Sequence, residues 1–263
     1  MAPAGSQNQY EEADRDRACG ALLGLAVGDA LGTTLEFSAR DSKPHIDDIV
    51  GGGPFGLEPG QWTDDTAMAL ALGQSLICCG VLDEHDVMER FVSWHEHGEY
   101  SCTGTCFDIG ITTRRALEQF RSTGDPVSGS TDPRSAGNGS LMRLSPVPIL
   151  YWRDRDRLVD CARRQSALTH GASEAVDACA AFSELIAEAI AGRPKDEVLR
   201  ARSSDYEPKI AEILNGGWRG KTRDQISSSG YVVHSLEAAL WCVAGATDFK
   251  SVGDRLTRSE KPT

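Results

Sequence analysis

The chain has 263 residues, of which 39 are acidic and 27 are basic, giving a formal net charge of -12. Nucleic acids and membrane surfaces are themselves negative, so this charge argues against general binding to either. The length corresponds to one large domain, or at most two, with a sizeable core. No run of about 18 continuous apolar residues is present, and we therefore expect no membrane span.

Apolar residues recur at helical spacing along most of the chain, whereas no series of alternating strands is found. The residues that carry this spacing lie within 19–27, 68–79, 87–94, 109–120, 158–168, 172–191, 210–214 and 232–243. Segment 147–151 fits either a helix or a strand. The pattern predicts an all-α fold, a single domain of orthogonally packed helices joined by glycine-rich loops that present the site.

Residues 1–14 are polar and acidic and lack the basic and apolar regions of a signal peptide, so we predict a flexible tail there. The eight cysteines include no CxxC pair, which favours reduced thiols and a cytoplasmic protein. Cys102 and Cys106 stand in a stretch rich in Gly and Thr. They are either reactive thiols or buried, incidental ones.

The run 61–66 reads Gln-Trp-Thr-Asp-Asp-Thr and directly precedes an apolar helix. Thr63, Asp64 and Asp65 supply hard oxygen atoms, the ligands that Mg²⁺ and Mn²⁺ prefer. The same residues also suit a helix start, with Thr63 as N-cap and both aspartates complementing the helix dipole. Both interpretations stay open at the level of this motif.

Two further carboxylates have a structural and a functional interpretation. Glu36 follows the run 28–32, Gly-Asp-Ala-Leu-Gly, and is either an exposed loop residue after a glycine C-cap or an additional acid near the metal cluster. Asp108, in the run 107–110, is either the N-cap of the next helix or a catalytic carboxylate.

The stretch 135–143 is rich in small residues and precedes a possible helix start. Its free backbone N–H groups suit a phosphate, although it lacks the Lys-Ser/Thr pair of a Walker A loop, and an ordinary Gly-Asn turn is the alternative. His170 precedes the Ala-rich helix, where it is a ligand contact or a structural residue. Tyr231 opens the last helix and either stacks on an aromatic base or fills the core.

Together these segments resemble the ADP-ribosylglycohydrolase family, in particular its dinitrogenase reductase-activating glycohydrolase branch. The resemblance covers about residues 17–246, and its motifs occur in family order at 28–32 with Glu36, 62–66, 107–110, 137–143, 169–171 and 230–234. It implies an all-α fold, a binuclear Mg²⁺ or Mn²⁺ centre, and hydrolysis of the glycosidic bond between ADP-ribose and a protein side chain, arginine in one branch. The implied partners are ADP-ribose and an ADP-ribosylated protein.

The resemblance also assigns roles to individual residues. The metal ligands or near-ligands are Glu36, Thr63, Asp64 and Asp65, and the catalytic groups are Asp108, Asp65 and Glu36, with Asp108 acting on the guanidinium end. The expected ribose and diphosphate contacts are Gly137, Asn138, Gly139, Ser140 and His170. Tyr231 is the expected adenine-stacking residue.

The C-terminal segment departs from the family. Members end in Asp-x-Asp-Thr, which completes both metal sites, whereas here the match fades after Val243. We therefore divide the chain into a tail (1–14), an incomplete helical domain (15–246) and a divergent tail (247–263), and expect reduced or absent hydrolase activity. Three accounts stay open: a hydrolase that has lost activity, a non-catalytic ADP-ribose binder, and an active hydrolase that takes acids from Asp248, Asp254 or a partner chain.

Overall fold

A computed structural model of the protein describes residues 4–257 and confirms the predicted all-α fold. Within that range there is no β-strand, only isolated bridges between loops. Short 3-10 helices cover Thr33–Leu35, Pro133–Ser135 and Arg223–Gln225. The α-helices are, in chain order, α1 (Ala4–Gly32), α2 (Asp64–Cys79), α3 (Glu84–His97), α4 (Ile111–Thr123), α5 (Pro146–Tyr151), α6 (Arg155–Ala167), α7 (Ser173–Ile190), α8 (Lys195–Val198), α9 (Pro208–Leu214), α10 (Val232–Gly245) and α11 (Phe249–Thr257).

Helix α7 lies at the centre of the fold and contacts α1, α5, α6, α8, α9 and α10. Its buried face is built from small side chains such as Ala175, Ala178 and Cys179, which let the neighbouring helices approach closely. The helix ends before Gly192, which has a positive φ of 78°, as the glycine in the sequence predicted.

Helices α2 and α3 pack against each other and carry the largest buried side chains of the core. Met68 and Leu72 of α2 and Phe91 and Trp94 of α3 are almost completely buried. Helix α2 begins at Asp64, so the acidic run stands at the N-terminus of a helix that the core holds in place.

Helix α1 differs from its prediction in two respects. It begins at Ala4, inside the segment that we predicted as a tail, while residues 1–3 and 258–263 lie outside the described range. The division into tails and a domain stays a prediction. The predicted apolar stripe is also not fully covered within residues 4–257, because Leu23 is 64% and Val27 is 38% exposed.

Contrary to our expectation, one stretch is long and apolar enough to cross a membrane by length and composition. This stretch, Glu11–Leu35, has a mean hydropathy of 1.5, and 17% of its window is buried. Core helices of globular proteins meet the same criterion. The Asp29 side chain within the stretch is hydrogen-bonded to Thr63 and Thr66, which ties this part of the chain to α2.

One central segment and one C-terminal segment are helical in the structure. The ambiguous segment 147–151 belongs to the helix α5. In the predicted divergent tail, α11 begins after Asp248, whose carboxylate accepts the N–H of Ser251 at 2.8 Å. Asp248 therefore serves α11 as a cap, while the side chain of Asp254 lies outside the described part.

The loop between α3 and α4 folds back onto the acidic run. Gly98 ends α3 with a φ of 70°, and a Cβ atom there would lie 2.1 Å from the carbonyl oxygen of Gly104. The Trp62 indole donates to the carbonyl of Tyr100 at 3.1 Å, and the Cys102 thiol donates to the carbonyl of Trp62 at 3.0 Å. These contacts hold the segment that leads to Asp108 against the start of α2.

We predict that Gly98→Ala destabilises the protein much more than Gly80→Ala. Both glycines end helices with a positive φ, so both substitutions carry a left-handed strain of roughly 1–2 kcal/mol. Only position 98 adds a backbone clash, since nothing lies within 4 Å of a Cβ at Gly80. Urea denaturation should show a further loss of about 1–3 kcal/mol for Gly98→Ala, and equal losses would contradict the close approach of Gly104.

Candidate functional site

Five carboxyl groups converge at the N-terminus of α2, and we call this set the acidic cluster: Asp29, Glu36, Asp64, Asp65 and Asp108. They come from the end of α1 and the turn after it, from the first turn of α2, and from the loop before α4. Three segments that are distant in sequence thus place negative groups within electrostatic range of one another, as the motif set predicted for most of these residues.

Burial and mutual repulsion keep the cluster partly protonated. Burial, followed by the charge of Asp108, raises the pKa of Glu36 to about 8. Burial, followed by Asp29 and Asp108, raises the pKa of Asp65 to about 7. The pKa of Asp64 is raised well above its ordinary range, again by burial first and by Asp65 second. Each shift reflects the cost of placing another negative charge in a half-buried site.

The carboxyl groups do not titrate independently of one another. Contact with Asp108 raises the pKa of Glu36, whereas the same contact opposes the rise in the pKa of Asp108, so Glu36 holds its proton more readily than Asp108. Contact with Asp64 likewise opposes the rise in the pKa of Asp108 and of Asp65. The protons of the cluster therefore belong to the set of carboxyl groups and not to single residues.

Asp29 is the one member of the cluster that the sequence analysis did not select as a site residue. Its carboxylate accepts the Thr63 and Thr66 hydroxyls at 2.8 and 2.7 Å, and the backbone N–H groups of the same threonines at 3.0–3.1 Å. In the sequence, the Gly28-Asp29 pair indicated a helix end. Only the tertiary contact with α2 shows that Asp29 belongs to the acidic cluster.

Asp108 is not the N-cap of α4, which corrects one of the two interpretations. That position belongs to Gly110, and Asp108 lies two residues earlier with a φ of 60°. Aspartate tolerates this left-handed conformation better than most residues, and such strained positions concentrate at functional sites. Glu36 is half-buried and lies close enough to Asp108 for that charge to raise its pKa, so the exposed-loop interpretation of Glu36 is also wrong.

The glycine-rich loop 136–140 is tied to the segment that opens α10. The N–H of Asn138 donates to the carbonyl of Gly230 at 2.9 Å, and the N–H of Val232 donates to the carbonyl of Ala136 at 3.0 Å. In the described part of the chain, the backbone N–H groups of Gly139 and Ser140 have no backbone acceptor. Two adjacent free donors in a glycine-rich turn suit an anion such as a phosphate.

His170 and the Ser140 side chain lie beneath this loop. Ser140 is fully buried and its hydroxyl pairs with that of Ser166 at 2.8 Å, while His170 is 3% exposed. Burial lowers the pKa of His170 to about 3, so its ring is neutral. A Cβ at Gly139 would come within 2.7 Å of that ring, which explains why a glycine stands there.

Arg143 supports the loop from the core. It is fully buried, its guanidinium lies 4.5 Å from the Phe91 ring centroid, and it donates to the side chain of Gln165 at 3.0 Å. Gln165 in turn donates to the carbonyl of Ser140 at 3.1 Å. Burial lowers the pKa of Arg143 to about 9, while the charge of Asp64 opposes this shift. A buried positive charge thus stands behind both the loop and the acidic cluster.

Tyr231 is half-buried and does not simply fill the core. Its hydroxyl accepts a hydrogen bond from Lys209 at 2.7 Å and donates one to Glu174 at 2.5 Å. The ring meets the imidazole of His234 edge to face at a centroid distance of 5.0 Å. Its position next to Gly137 brings the expected adenine-stacking residue to the expected phosphate loop.

The two loop cysteines have no sign of activation. Burial raises the pKa of Cys102, and burial followed by the charge of Asp64 raises the pKa of Cys106 to about 11. Reactive thiols need a lowered pKa, so of our two interpretations the structure favours the incidental one.

A divalent cation fits the chemistry of the cluster. Within residues 4–257, no three His, Cys, Asp or Glu side chains are arranged around a common metal position. The donors themselves, several carboxylates with the Thr63 hydroxyl, are those that Mg²⁺ and Mn²⁺ prefer, and a cation would relieve their repulsion.

We predict that Glu36→Gln stabilises the metal-free protein at pH 8 but not near pH 5. A carboxyl group whose pKa is raised on folding stabilises the fold while protonated and loses that contribution as the pH rises, here between about pH 4.5 and 8. Glutamine stays neutral and keeps a donor for Asp108. Thermal unfolding with a chelator present should show a gain of about 1 kcal/mol at pH 8, scaled down for solvent screening. Glu58→Gln, in an exposed loop, is the matched control, and an equal response of both variants would contradict the assignment.

Comparisons with known proteins show the family to which the chain is similar. The sequence profile of the ADP-ribosylglycohydrolase family matches residues 10–260. An ADP-ribosylarginine hydrolase Tri1 from Pseudomonas putida (strain GB-1) is 46% identical over 89% of this chain and 63% of its own length. The corresponding protein from Serratia proteamaculans (strain 568) is 44% identical over 91% of this chain and 65% of its own length. The chain therefore spans slightly less than two thirds of these relatives.

Two further matches extend over a larger share of the matched protein's own length. The ADP-ribosyl-[dinitrogen reductase] glycohydrolase of Rhodospirillum rubrum is 32% identical over 90% of this chain and 76% of its own length. A solved structure described as an ADP-ribosylglycohydrolase-related protein complex is 40% identical, with a TM-score of 0.80 over 93% of this chain and 81% of that chain. The chain belongs to the ADP-ribosylglycohydrolase family.

Proposed function

We propose that the protein hydrolyses the glycosidic bond between ADP-ribose and an arginine side chain of a protein, in a reaction that depends on Mg²⁺ or Mn²⁺. The observation that carries the proposal is the acidic cluster standing next to a loop with free N–H groups. A Cβ at Gly139 would lie 3.3 Å from the hydroxyl of Thr113, in the first turn of α4, and Asp108 directly precedes this helix. One end of the site is therefore suited to phosphate and the other to a cationic leaving group.

The loop supplies the phosphate end. The N–H groups of Gly139 and Ser140 have no backbone acceptor within residues 4–257, and the buried charge of Arg143 lies behind them. This local arrangement overcomes a formal net charge of -12, which would otherwise repel an anionic ligand. Asn138 and His170 complete the expected contacts, with Tyr231 at the adenine end.

The acidic cluster supplies the other end. Glu36, Thr63, Asp64 and Asp65 are the residues that would hold the cation. When bound, it lowers the pKa of a water molecule and offsets developing charge on the substrate.

Asp108 is suited to the arginine end of the substrate. Burial raises the pKa of Asp108, while contacts with Glu36 and Asp64 oppose that rise, and once ionised its carboxylate can accept hydrogen bonds. A guanidinium group is the natural donor, because its paired N–H groups match a carboxylate. The left-handed backbone at Asp108 fixes where that carboxylate stands.

The names of the relatives support the same reaction class. The two Tri1 proteins are described as ADP-ribosylarginine hydrolases, and the Rhodospirillum rubrum relative acts on dinitrogen reductase. The eight free thiols support a cytoplasmic location, which is part of the proposal.

A non-catalytic ADP-ribose-binding module is the second candidate function. It is favoured by the glycine-rich loop, whose backbone hydrogen bonds to the segment before α10 hold it in place. Binding of ADP-ribose requires the loop and Tyr231 but not the acidic cluster.

The experiment that separates the two is Mn²⁺-dependent release of ADP-ribose from an ADP-ribosyl-arginine protein, with a chelator control. Release that the chelator abolishes supports the hydrolase. A folded protein that binds ADP-ribose but releases none from the substrate would support the binding module.

We predict that Asp108→Asn lowers turnover by about 10²–10⁴-fold while ADP-ribose affinity changes by less than about threefold, because the variant removes only the charged acceptor. Asparagine tolerates the left-handed backbone, so the fold should be preserved. Glu118→Gln, on the exposed face of α4, removes a similar charge away from the site and should keep full turnover. Unchanged turnover in Asp108→Asn would remove Asp108 from the mechanism.

A further inference from the structure

Helix α2 is capped by a residue of another helix. Thr63 occupies the N-cap position, but its side chain makes no capping hydrogen bond to α2. The N–H of Thr66, which an N-cap side chain normally accepts, donates instead to Asp29 of α1 at 3.1 Å. A carboxylate that lies 34 residues earlier thus accepts the hydrogen bond that the Thr63 hydroxyl would ordinarily accept as the N-cap.

This arrangement fixes the direction in which the hydrogen of the Thr63 hydroxyl points. The hydroxyl donates to Asp29 at 2.8 Å, so its single proton is committed to that contact. A hydroxyl oxygen has two acceptor lone pairs, and Thr63 is only 4% exposed, so solvent has little access to them. No donor to this oxygen is present in the described part of the chain. The result is a buried acceptor directly before Asp64 and Asp65.

A carboxylate is the only common side chain that can hold this arrangement. Asp29 receives four donors, two hydroxyls and two backbone N–H groups, and offers none. An asparagine at position 29 would turn two amide hydrogens towards these donors. At least one threonine hydroxyl would then have to rotate and point its hydrogen elsewhere.

We propose that Asp29 is a positioning residue, which keeps the Thr63 hydroxyl oriented as an acceptor for the divalent cation. This inference rests on the proposed function, because Thr63 is there one of the residues that hold the cation. Asp29 acts through Thr63 and need not contact the cation itself. Residues that orient metal ligands in this way typically contribute 10–100-fold to metal affinity.

The test measures Mn²⁺ affinity by titration calorimetry of folded proteins, with turnover as a second measurement. We expect Asp29→Asn and Thr63→Val each to weaken Mn²⁺ binding by about 10–100-fold. The double variant should bind no more weakly than Thr63→Val alone, because both changes remove the same interaction. Asp29→Glu, which keeps the carboxylate, should recover part of the affinity.

Thr66→Val is the matched control. It removes the other hydroxyl partner of Asp29 but leaves Thr63 in place, so Mn²⁺ affinity should change by less than threefold even if stability falls. If Asp29 had a purely structural function, Thr66→Val would instead weaken Mn²⁺ binding as much as Asp29→Asn does, or the effects of Asp29→Asn and Thr63→Val on Mn²⁺ affinity would multiply. Either result would overturn the inference.

The outcome for the wild type separates this inference from the proposed function. If the wild type binds Mn²⁺ and Asp29→Asn binds it equally well, the positioning function is wrong and the proposed function stands. If the wild type binds no Mn²⁺, the metal-dependent function itself is wrong, and the inference falls with it.

Discussion

The crowding of carboxyl groups at the start of α2 is the constraint on which the site depends. Five such groups from three segments meet in a half-buried space, where each additional charge is unfavourable. Two features of the fold make this possible. The raised pKa values of Glu36 and Asp64 favour their neutral forms and so reduce the charge, and the donors of Thr63 and Thr66 compensate Asp29. The positive end of the α2 dipole contributes in the same direction.

A buried polar network links this cluster to the phosphate loop. Arg143 is fully buried between Phe91 and Gln165, and Gln165 holds the carbonyl of Ser140. Since Arg143 also lies within electrostatic range of Asp64, one core residue affects both ends of the site. Polar groups this deeply buried are tolerated only when their hydrogen bonds are satisfied, and the hydrogen bonds of Arg143 and Gln165 meet this condition next to the loop.

Much of the helical fold could be predicted from spacing alone, because α2, α3, α4, α6 and α7 each show an apolar face of period 3.6. The cluster was found because its acids stand in recognisable strings. Asp29 was missed because it belongs to α1 but caps α2, and no local sequence pattern indicates a cap that another helix supplies. The helical N-terminal residues of α1 were missed because polar composition masks helix propensity there. The N-cap interpretation of Asp108 failed because Asp108 has a left-handed backbone and stands two residues before Gly110, which is the N-cap of α4.

The most direct test of this account is the number of protons released when Mn²⁺ binds. Calorimetric titration of the metal-free protein at pH 7, in two buffers of different ionisation enthalpy, measures that number. Because the pKa values of Glu36 and Asp65 are raised to about 8 and about 7, the account predicts saturable binding with net release of about one proton or more per ion. Binding without proton release, or no binding by the folded protein, would contradict it.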